Sequence, residues 1–236
     1  MRPSPLASAC FLALGLMASG ALAQEAPKAP EPAPAEGAPA EPAKEDWQNQ
    51  VATRRSGFML QLLAGVGPVS MVGYPNDVKK QGYARYYTAS GAQLGAAGGL
   101  FAGGAVTDWL NLGVGAGWNR MVTGENPGQS LVVLFHLEGF PLFSLGGRWR
   151  DVGVMADFGT GTGSVTSKKD PDTKLVDGGA TSFVGGGVFW EAFRVWRISG
   201  GPYAEGTYQW SDTLRKPDLA LGLRLVLYTG PSQRAP

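Results

Sequence analysis

The residues best placed to do chemistry are a histidine and a carboxylate close together in one short segment. His136 and Glu138 are separated by a single residue, in a stretch where apolar residues take every second position from 131 to 137. Side chains alternate across a β-strand, so this spacing predicts that both lie on the same face of one strand. A histidine oriented by a carboxylate can act as a general base. A buried polar network is the simpler interpretation, and we favour it.

Complete motifs for other catalytic or binding chemistries are absent from the sequence. There is no complete Gly-x-Ser-x-Gly, P-loop, His-Glu-x-x-His or calcium-loop pattern. His136 is the single histidine, which excludes a site built from several histidines, and Cys10, the single cysteine, lies in the leading apolar stretch. The formal net charge of +1 gives no strong field for a polyanion. We therefore expect no cofactor, no metal site and no nucleic-acid partner.

The segment from Leu110 to Trp118 shows which element would position such residues. Its even positions are all apolar and its odd positions are all Asn or Gly. A period of two predicts a strand with one apolar face and one face of very small volume. A sheet of an ordinary soluble protein packs large side chains against its core. The opposite arrangement is typical of a barrel that is apolar outside and small or polar inside.

Seven further segments share this alternation and bring the number of predicted strands to eight. The segments are 58–66, 92–104, 110–118, 131–137, 152–158, 181–190, 197–210 and 219–227. The odd connections are mostly long and polar, whereas the even ones are mostly shorter, as in barrels with tight periplasmic turns and longer outer loops. Aromatic residues gather at both strand ends, where interfacial girdles are expected. The fold class is therefore all-β, an eight-stranded antiparallel up-and-down transmembrane β-barrel.

The predicted inner-side girdle contains Trp109, Phe140, Phe143, Trp149, Trp190, Phe193, Trp196 and Tyr228, and the outer one contains Trp118, Phe158, Tyr208 and Trp210.

In strand count, alternation and loop asymmetry, the stretch from Gly57 to Tyr228 resembles the small eight-stranded outer-membrane barrels, of the OmpA-transmembrane and OmpX type. This resemblance implies the outer membrane of a Gram-negative bacterium, a monomer, and contact with outer-membrane lipid and lipopolysaccharide. An enzyme of this architecture, lipid A deacylase, has a His-x-Ser pattern. Here position 138 is Glu138, so that pattern fails.

The alternation of side chains along the predicted strands places a set of polar side chains in the predicted lumen. The set comprises Gln61, His136, Glu138, Asp157, Glu205 and Arg224. An unpaired charge in a narrow interior is costly, so we expect Arg224 to pair with Glu205, with Glu138 and Asp157 as further candidates. Such a network would plug the lumen. The glycines from 113 to 117 are expected to leave room for lumen side chains, among them Arg224 and its partners.

One segment also fits a helix. Gly91, Gly95, Gly99 and Gly103 recur every fourth residue in an uncharged stretch from 88 to 107. In a helix this spacing would support close transmembrane packing. We favour a strand, because Ala and Gly make a weakly hydrophobic helical span and every other segment is strand-like.

The N-terminal residues predict an exported protein. Arg2, the apolar run from 6 to 17 and the sequence Ala-Leu-Ala at 21–23 fit a secretory signal peptide over residues 1–23. Residues 24–50 are rich in Pro, Ala and Glu and predict an extended periplasmic linker. The barrel domain is assigned to residues 51–236.

The predicted function is non-enzymatic. We expect a structural, adhesive or surface-interaction role through extracellular loops, with an envelope or extracellular protein as a further partner. The first loop offers the candidate contact residues Tyr74, Lys79, Lys80, Tyr83, Arg85, Tyr86 and Tyr87. Neutralisation of lipopolysaccharide phosphates is an equal interpretation of its basic residues. The alternatives are a small channel or a barrel for an apolar ligand, then a lipid-modifying enzyme around His136. A soluble lipocalin-like barrel is the rival fold, but the leucine face of the last segment disfavours it.

Overall fold

The computed structural model describes residues 55–230. The predicted signal peptide and linker lie outside the described residues. Eight long strands dominate the described part, and we label them β1 to β8 in chain order. They are β1 Gly57–Val69, β2 Gln93–Thr107, β3 Leu110–Met121, β4 Gly128–Gly139, β5 Val152–Thr166, β6 Thr181–Trp190, β7 Ile198–Trp210 and β8 Leu214–Tyr228.

The long strands form a closed antiparallel barrel. Each strand from β1 to β8 pairs with the next one in the chain. The circle closes because β1 also pairs with β8, with Leu60 opposite Leu227 and Val66 opposite Leu221. Closure leaves no long strand with an unpaired edge, which is a requirement for a sheet that stands in lipid. The predicted all-β, eight-stranded up-and-down barrel is confirmed.

The stretch with glycines at every fourth position is a strand. Residues 93–107 form β2, and its partner β1 runs antiparallel to it with Gly67 opposite Gly95 and Met59 opposite Gly103. In this register the glycines at 95, 99 and 103 share the inward face. The structure describes no helix long and apolar enough to cross a membrane between residues 55 and 230.

Side chains alternate between the two faces of the barrel wall as the sequence predicted. In β8 the leucines at 219, 221, 223 and 225 are exposed, while Ala220, Arg224 and Val226 are buried inside. Three residues assigned to the aromatic girdle are exceptions, and one of them, Phe143, is half-buried and packs against the interior cluster. Phe140 and Tyr228 are buried in the interior, Phe140 against an arginine and Tyr228 in a hydrogen-bond network.

The inward glycines of β3 make room for a neighbour. A Cβ added at Gly115 would lie 2.4 Å from the ring of Phe101 and equally close to the carbonyl oxygen of Leu100. Phe101 lies opposite Gly115 across the β2–β3 pair and is buried in the lumen. The space was predicted to serve lumen residues such as Arg224. It serves Phe101.

The two ends of the barrel differ in their connections. At the end we call the turn end, the connections are 108–109, 140–151 and 191–197, with short 3₁₀ turns at Phe143–Leu145 and Trp149–Asp151. At the loop end they are 70–92, 122–127, 167–180 and 211–213. The connections at the loop end were expected to be longer than those at the turn end. This holds only in part, because the turn-end connection 140–151 is longer than two of the loops.

Short additional structure extends the loop end. Strand Val72–Gly73 pairs with Thr88–Ala89 and with β8, and Lys174–Asp177 pairs with β5. A 3₁₀ turn at Ala84–Tyr86 lies in the first loop. The loop between the predicted segments 197–210 and 219–227 is shorter than expected, because β8 already begins at Leu214.

Candidate functional site

The candidate site is a network of buried charged side chains inside the turn end of the barrel. Its members come from β1, β3, β4, β5 and β8, from the segment before β1, and from the turns that contain Asp151 and Glu191. The acidic members are Glu138, Asp151, Asp157 and Glu191, and the basic or imidazole members are Arg55, His136, Arg194 and Arg224. We call this set, with Gln61, Asn111 and Tyr228, the turn-end network.

Arg224 is the centre of the network. Its Nε and Nη2 donate to the two carboxylate oxygens of Glu138 at 2.8 and 2.7 Å, a bidentate arrangement. Its Nη1 donates to Glu191 at 3.1 Å, and the guanidinium lies 4.2 Å from the centre of the Phe189 ring. A fully buried arginine with two carboxylates and an aromatic face has the partners that such a charge requires.

Glu191 joins Arg224 to the start of the barrel domain. Its second oxygen accepts from Arg55 at 3.0 Å, and Tyr228 donates its hydroxyl to the first at 2.9 Å. Burial alone would raise the pKa of this carboxyl group, but the surrounding guanidinium groups, led by Arg224 and Arg55, hold the pKa below its usual value.

Arg55 enters the barrel from the segment that precedes β1. Its Nη2 donates to Asp151 at 3.1 Å as well as to Glu191, and its Nη1 donates to the carbonyl oxygen of Asp108 at 3.0 Å. The guanidinium carbon lies 3.4 Å from the centre of the Phe140 ring. Residues outside the long strands therefore close this end of the lumen.

His136 lies between two carboxylates. Its Nδ1 is 2.6 Å from Asp157 and its Nε2 is 3.1 Å from Glu138. This environment suits an imidazolium that donates from both nitrogens. Gln61 places its amide nitrogen 3.1 Å from Nε2, while its amide oxygen has no partner. With the amide turned by half a rotation, its oxygen would accept a hydrogen bond from the N–H at Nε2.

This geometry leaves His136 without a free nitrogen. A general base needs one ring nitrogen to accept a proton from a nucleophile or a water. Here both nitrogens face carboxylates inside a wall of closed strands. The arrangement stabilises charge in the lumen and offers no access to a substrate.

Glu205 does not pair with Arg224, which was the predicted pairing. Arg224 is opposite Gly201 on β7, whereas Glu205 is opposite Ala220, so the two lie at different heights of the barrel. Glu205 instead lies near Asp157, because both side chains approach the Cβ position of Gly185 on β6. The expected Arg224–Glu205 pair does not form, and Arg224 binds Glu138 and Glu191.

Sequence reasoning missed several members of the network. Arg55, Asp151 and Glu191 lie outside the long strands, where alternation carries no information about direction. Asn111 was within reach, since it lies on the inward face of β3; its amide donates to Glu138 at 2.9 Å and to Tyr228 at 3.1 Å.

The loop end of the lumen has a different content. An apolar cluster there comprises Val69, Met71, Met121, Val165, Val176 and Leu214, and we call it the loop-end cluster. Below it, Lys216 pairs with Asp218 at 3.0 Å, and Asn119 donates to the same carboxylate at 2.6 Å. At mid-height the lumen holds a cavity of about 50 Å³. One water needs about 10–15 Å³, so this cavity has room for a few waters.

The predicted contact residues lie together in the first loop. The rings of Tyr74 and Tyr87 meet edge to face at 5.3 Å, and the Arg85 guanidinium lies 4.7 Å from the Tyr86 ring centre and 5.9 Å from that of Tyr83. Lys80 lies 5.9 Å from the Tyr86 ring centre and pairs with Asp77 at 3.2 Å. Lys79 is exposed.

Asp77, which pairs with Lys80 in this loop, has a lowered pKa. The backbone N–H of Lys79 and the side chain of Lys80 lower the pKa of Asp77 from its usual value. We call the seven predicted contact residues the first-loop surface.

Comparison with known proteins gives a likeness of fold. No protein family and no curated protein matches the sequence. Among solved structures, the chain is similar to neisserial surface protein A, with 11% identity and a TM-score of 0.44 over 72% of this chain and 96% of that one. It is also similar to Ail, the attachment invasion locus protein of Yersinia pestis, with 10% identity and a TM-score of 0.43 over 71% and 98%.

A designed transmembrane β-barrel is a further match, with 16% identity and a TM-score of 0.31 over 71% of this chain and 95% of that one. The similarity is one of fold. The eight-stranded architecture itself is established by the strand pairings of this chain.

Proposed function

We propose that this protein is a non-enzymatic outer-membrane barrel that holds a loop surface at the cell exterior. The observation that carries the proposal is the outer wall. Large apolar side chains point outward on all eight long strands, among them Leu62, Leu100, Val114, Phe135, Phe158, Val184, Tyr208 and Leu223. A soluble monomer rarely exposes a contiguous apolar patch of more than a few hundred Å², and here the apolar face runs around the closed barrel. Lipid covers such a surface on all sides.

The closed lumen supports a scaffold role over a channel. The turn-end network fills one end with paired charges and the loop-end cluster fills the other with packed methyl and thioether groups. Between them lies a cavity of about 50 Å³. A rigid, filled barrel positions its loops precisely, as binding loops on rigid scaffolds require.

We place the turn end in the periplasm. Arg55 lies at that end, so the linker predicted over 24–50 would leave the barrel there. The loop end, with its charged and tyrosine-rich first loop, would then face the exterior. The position of Arg55 and the character of the first loop indicate the same orientation, because small outer-membrane barrels have short turns in the periplasm and longer loops outside.

The first-loop surface is proposed to contact lipopolysaccharide. Two of its three cations, Lys80 and Arg85, lie near tyrosine rings, which combine phosphate-binding charge with flat faces suited to sugars and lipid headgroups. An adhesive contact with an external protein is the second candidate. It is favoured by Tyr83, which is 58% exposed, and by the nearby Val78, which is 85% exposed.

Membrane insertion is tested by a matched pair of valines. Val114 is exposed at the middle of β3, and Val122 is exposed just beyond its loop end. Val114→Arg should destabilise the inserted barrel by about 2–4 kcal/mol, whereas Val122→Arg should cost about 0–1 kcal/mol. The measurement is the free energy of unfolding in bilayers, together with membrane fractionation and the heat-dependent gel mobility of the folded barrel. Equal effects of the two substitutions would contradict a lipid-facing wall.

The loop role is tested separately. Lys79→Ala combined with Arg85→Ala should weaken binding of the reconstituted protein to lipopolysaccharide micelles, and the loss should shrink at high salt. The control is Lys168→Ala combined with Lys169→Ala, which removes two cations from another loop at the same end. Equal losses would show a general charge effect and would contradict a specific first-loop surface. Unchanged binding in both would favour the external protein partner.

The lumen is tested by conductance. The wild-type barrel should show no large steady conductance in planar bilayers. A stable open channel would overturn the scaffold role and support the channel alternative.

A further inference from the structure

The rim of the turn end carries two short sequences in which tryptophan and arginine are neighbours. The first is Arg148-Trp149-Arg150 in the turn after β4, and the second is Trp196-Arg197 in the turn before β7. Trp149 is 61% exposed and Trp196 is 69% exposed. A large aromatic side chain exposed to this degree has an unpartnered apolar face, and tryptophan is enriched at membrane–water interfaces.

The two turns lie side by side on the barrel. Strand β5 begins at Val152, which is opposite Trp190 at the end of β6. The backbone N–H of Glu191 donates to the carbonyl oxygen of Asp151 at 2.9 Å, which joins the turns just below the strands. The Trp–Arg pairs therefore belong to one continuous edge, which we call the turn-end rim.

The arginines of the rim have no anionic partner in the described part of the chain. Arg55, Arg194 and Arg224 are held by carboxylates of the turn-end network. By contrast, the side chains of Arg148, Arg150 and Arg197 form no ion pair with residues 55–230. The Arg197 guanidinium instead lies 4.9 Å from the centre of the Trp196 ring. One edge therefore carries three guanidinium groups without an anionic partner, of which Arg148 is exposed and Arg150 and Arg197 are half-buried.

Trp196 is held in a backbone conformation that does not suit it. Its φ is +56°, and it is the one residue other than glycine with positive φ in the described chain. It occupies a two-residue turn between Val195 and Ile198, which pair with each other. Glycine or asparagine adopts such a turn with less strain, and a bulky residue there is an outlier. Strained residues of this kind cluster at functional sites, where the surrounding structure holds them in place.

We propose that the turn-end rim binds the phosphate groups of anionic phospholipids in the membrane leaflet at that end. Arg148, Arg150 and Arg197 would take the phosphates, while Trp149 and Trp196 would lie at the headgroup level. This proposal rests on the membrane insertion proposed above. Lipid is the occupant because the rim continues the apolar outer wall through the exposed Trp190, Phe193 and Ile198, and because its unpaired charge is all positive.

The magnitude of the effect follows from the charges. An arginine close to an anionic membrane surface strengthens binding to that surface about five-fold, the equivalent of about 1 kcal/mol. Three arginines acting together should give a clear dependence on anionic lipid. The dependence should weaken as salt screens the charges.

The test compares lipid compositions. The folded barrel is reconstituted in vesicles of phosphatidylcholine, with or without phosphatidylglycerol, and its thermal unfolding midpoint is measured by gel mobility. Phosphatidylglycerol should raise the midpoint of the wild type, and a variant with Arg148→Gln, Arg150→Gln and Arg197→Gln should lose that rise. The control variant carries Lys168→Gln, Lys169→Gln and Arg215→Gln, three exposed cations toward the opposite end, and should keep it.

Each outcome has a defined meaning. A wild type that inserts but ignores phosphatidylglycerol overturns this inference and leaves the proposed function intact. A wild type that inserts into neither vesicle overturns the proposed function itself. If the rim variant and the control lose the rise equally, the attraction is a matter of net charge and the rim is not a site.

A single substitution separates the role of Trp196 from its strain. Trp196→Gly relieves the positive φ, so in detergent it should leave the unfolding midpoint unchanged or raise it. In vesicles containing phosphatidylglycerol the same substitution should lower the midpoint, because the interfacial indole is gone. A rise in both media would show that Trp196 carries only strain, and the anchoring role would be wrong.

Discussion

The two ends of the lumen are closed by opposite means. The turn-end network closes one with buried charges that pair with one another, such as Arg224 between Glu138 and Glu191. The loop-end cluster closes the other with valine, methionine and leucine side chains, partly contributed by the short strands of the loops. Charged networks demand fixed geometry, because each lost partner leaves a buried charge. Apolar packing tolerates adjustment. The comparison indicates a rigid turn end and a loop end that can open locally.

The strongest way to break this comparison is to remove the central cation. Arg224→Met leaves Glu138 and Glu191 without their shared partner in a closed interior. Such a loss costs about 3–5 kcal/mol of unfolding free energy. Urea titration of the reconstituted barrel measures it. Arg215 on the same strand is exposed and provides the control, since Arg215→Met should change stability by less than about 0.5 kcal/mol.

Truncation of an apolar side chain at the loop end should have a smaller and more local effect. Leu214 is buried in the loop-end cluster and pairs through its backbone with Gly73. Leu214→Ala creates a cavity, which should lower the free energy of unfolding by about 2–4 kcal/mol if the barrel unfolds as one unit. Because the cluster includes loop strands, we expect amide exchange to accelerate at 72–73 and 174–177 while the turn end keeps its protection. Faster exchange throughout the barrel would contradict independent ends.

The wall between the two ends can be tested with a matched pair of glycines. Gly115→Ala brings a methyl group onto Phe101 and the backbone of β2, and should cost about 1–3 kcal/mol. Gly206 on β7 has open space around its Cβ position, so Gly206→Ala should be close to neutral. The comparison uses unfolding free energies of the two variants in the same lipid. Similar costs would show that the substitutions act through the backbone and not through Phe101.

The smallest expected effect is a pH dependence that belongs to the turn end. Glu191 has a pKa held below its usual value of 4.5 in the folded barrel. Its contribution to stability is therefore complete above the unfolded pKa and is lost as the pH falls through the folded one. Unfolding free energies measured near neutral pH and at about pH 3 should differ less in Glu191→Gln than in the wild type. An unchanged difference would mean that other carboxylates account for the acid sensitivity.

Strand positions were predictable because alternation is a local property. Side chains one residue apart on a strand must face opposite sides, so the pattern of Leu110 to Trp118 or of the leucines in β8 fixes both the strand and its outward face. Gln61, His136, Glu138, Asp157, Glu205 and Arg224 all lie on the inward face for this reason. The first-loop surface was identified by composition, and its binding role remains a prediction.

Partner choice inside the lumen was decided by the tertiary structure. Which inward residues meet depends on the register of each pair and on the direction of the turns, and neither is encoded in alternation. Register places Arg224 at the height of Gly201 and away from Glu205, so it binds Glu138. The turns bring Glu191, Asp151 and Arg55 into the interior, where no period indicates direction. The sequence by itself determined a closed wall and the faces of its residues, since both follow from a two-residue repeat. Only the folded barrel decided how the enclosed charges pair, since pairing requires distances between residues remote in the chain.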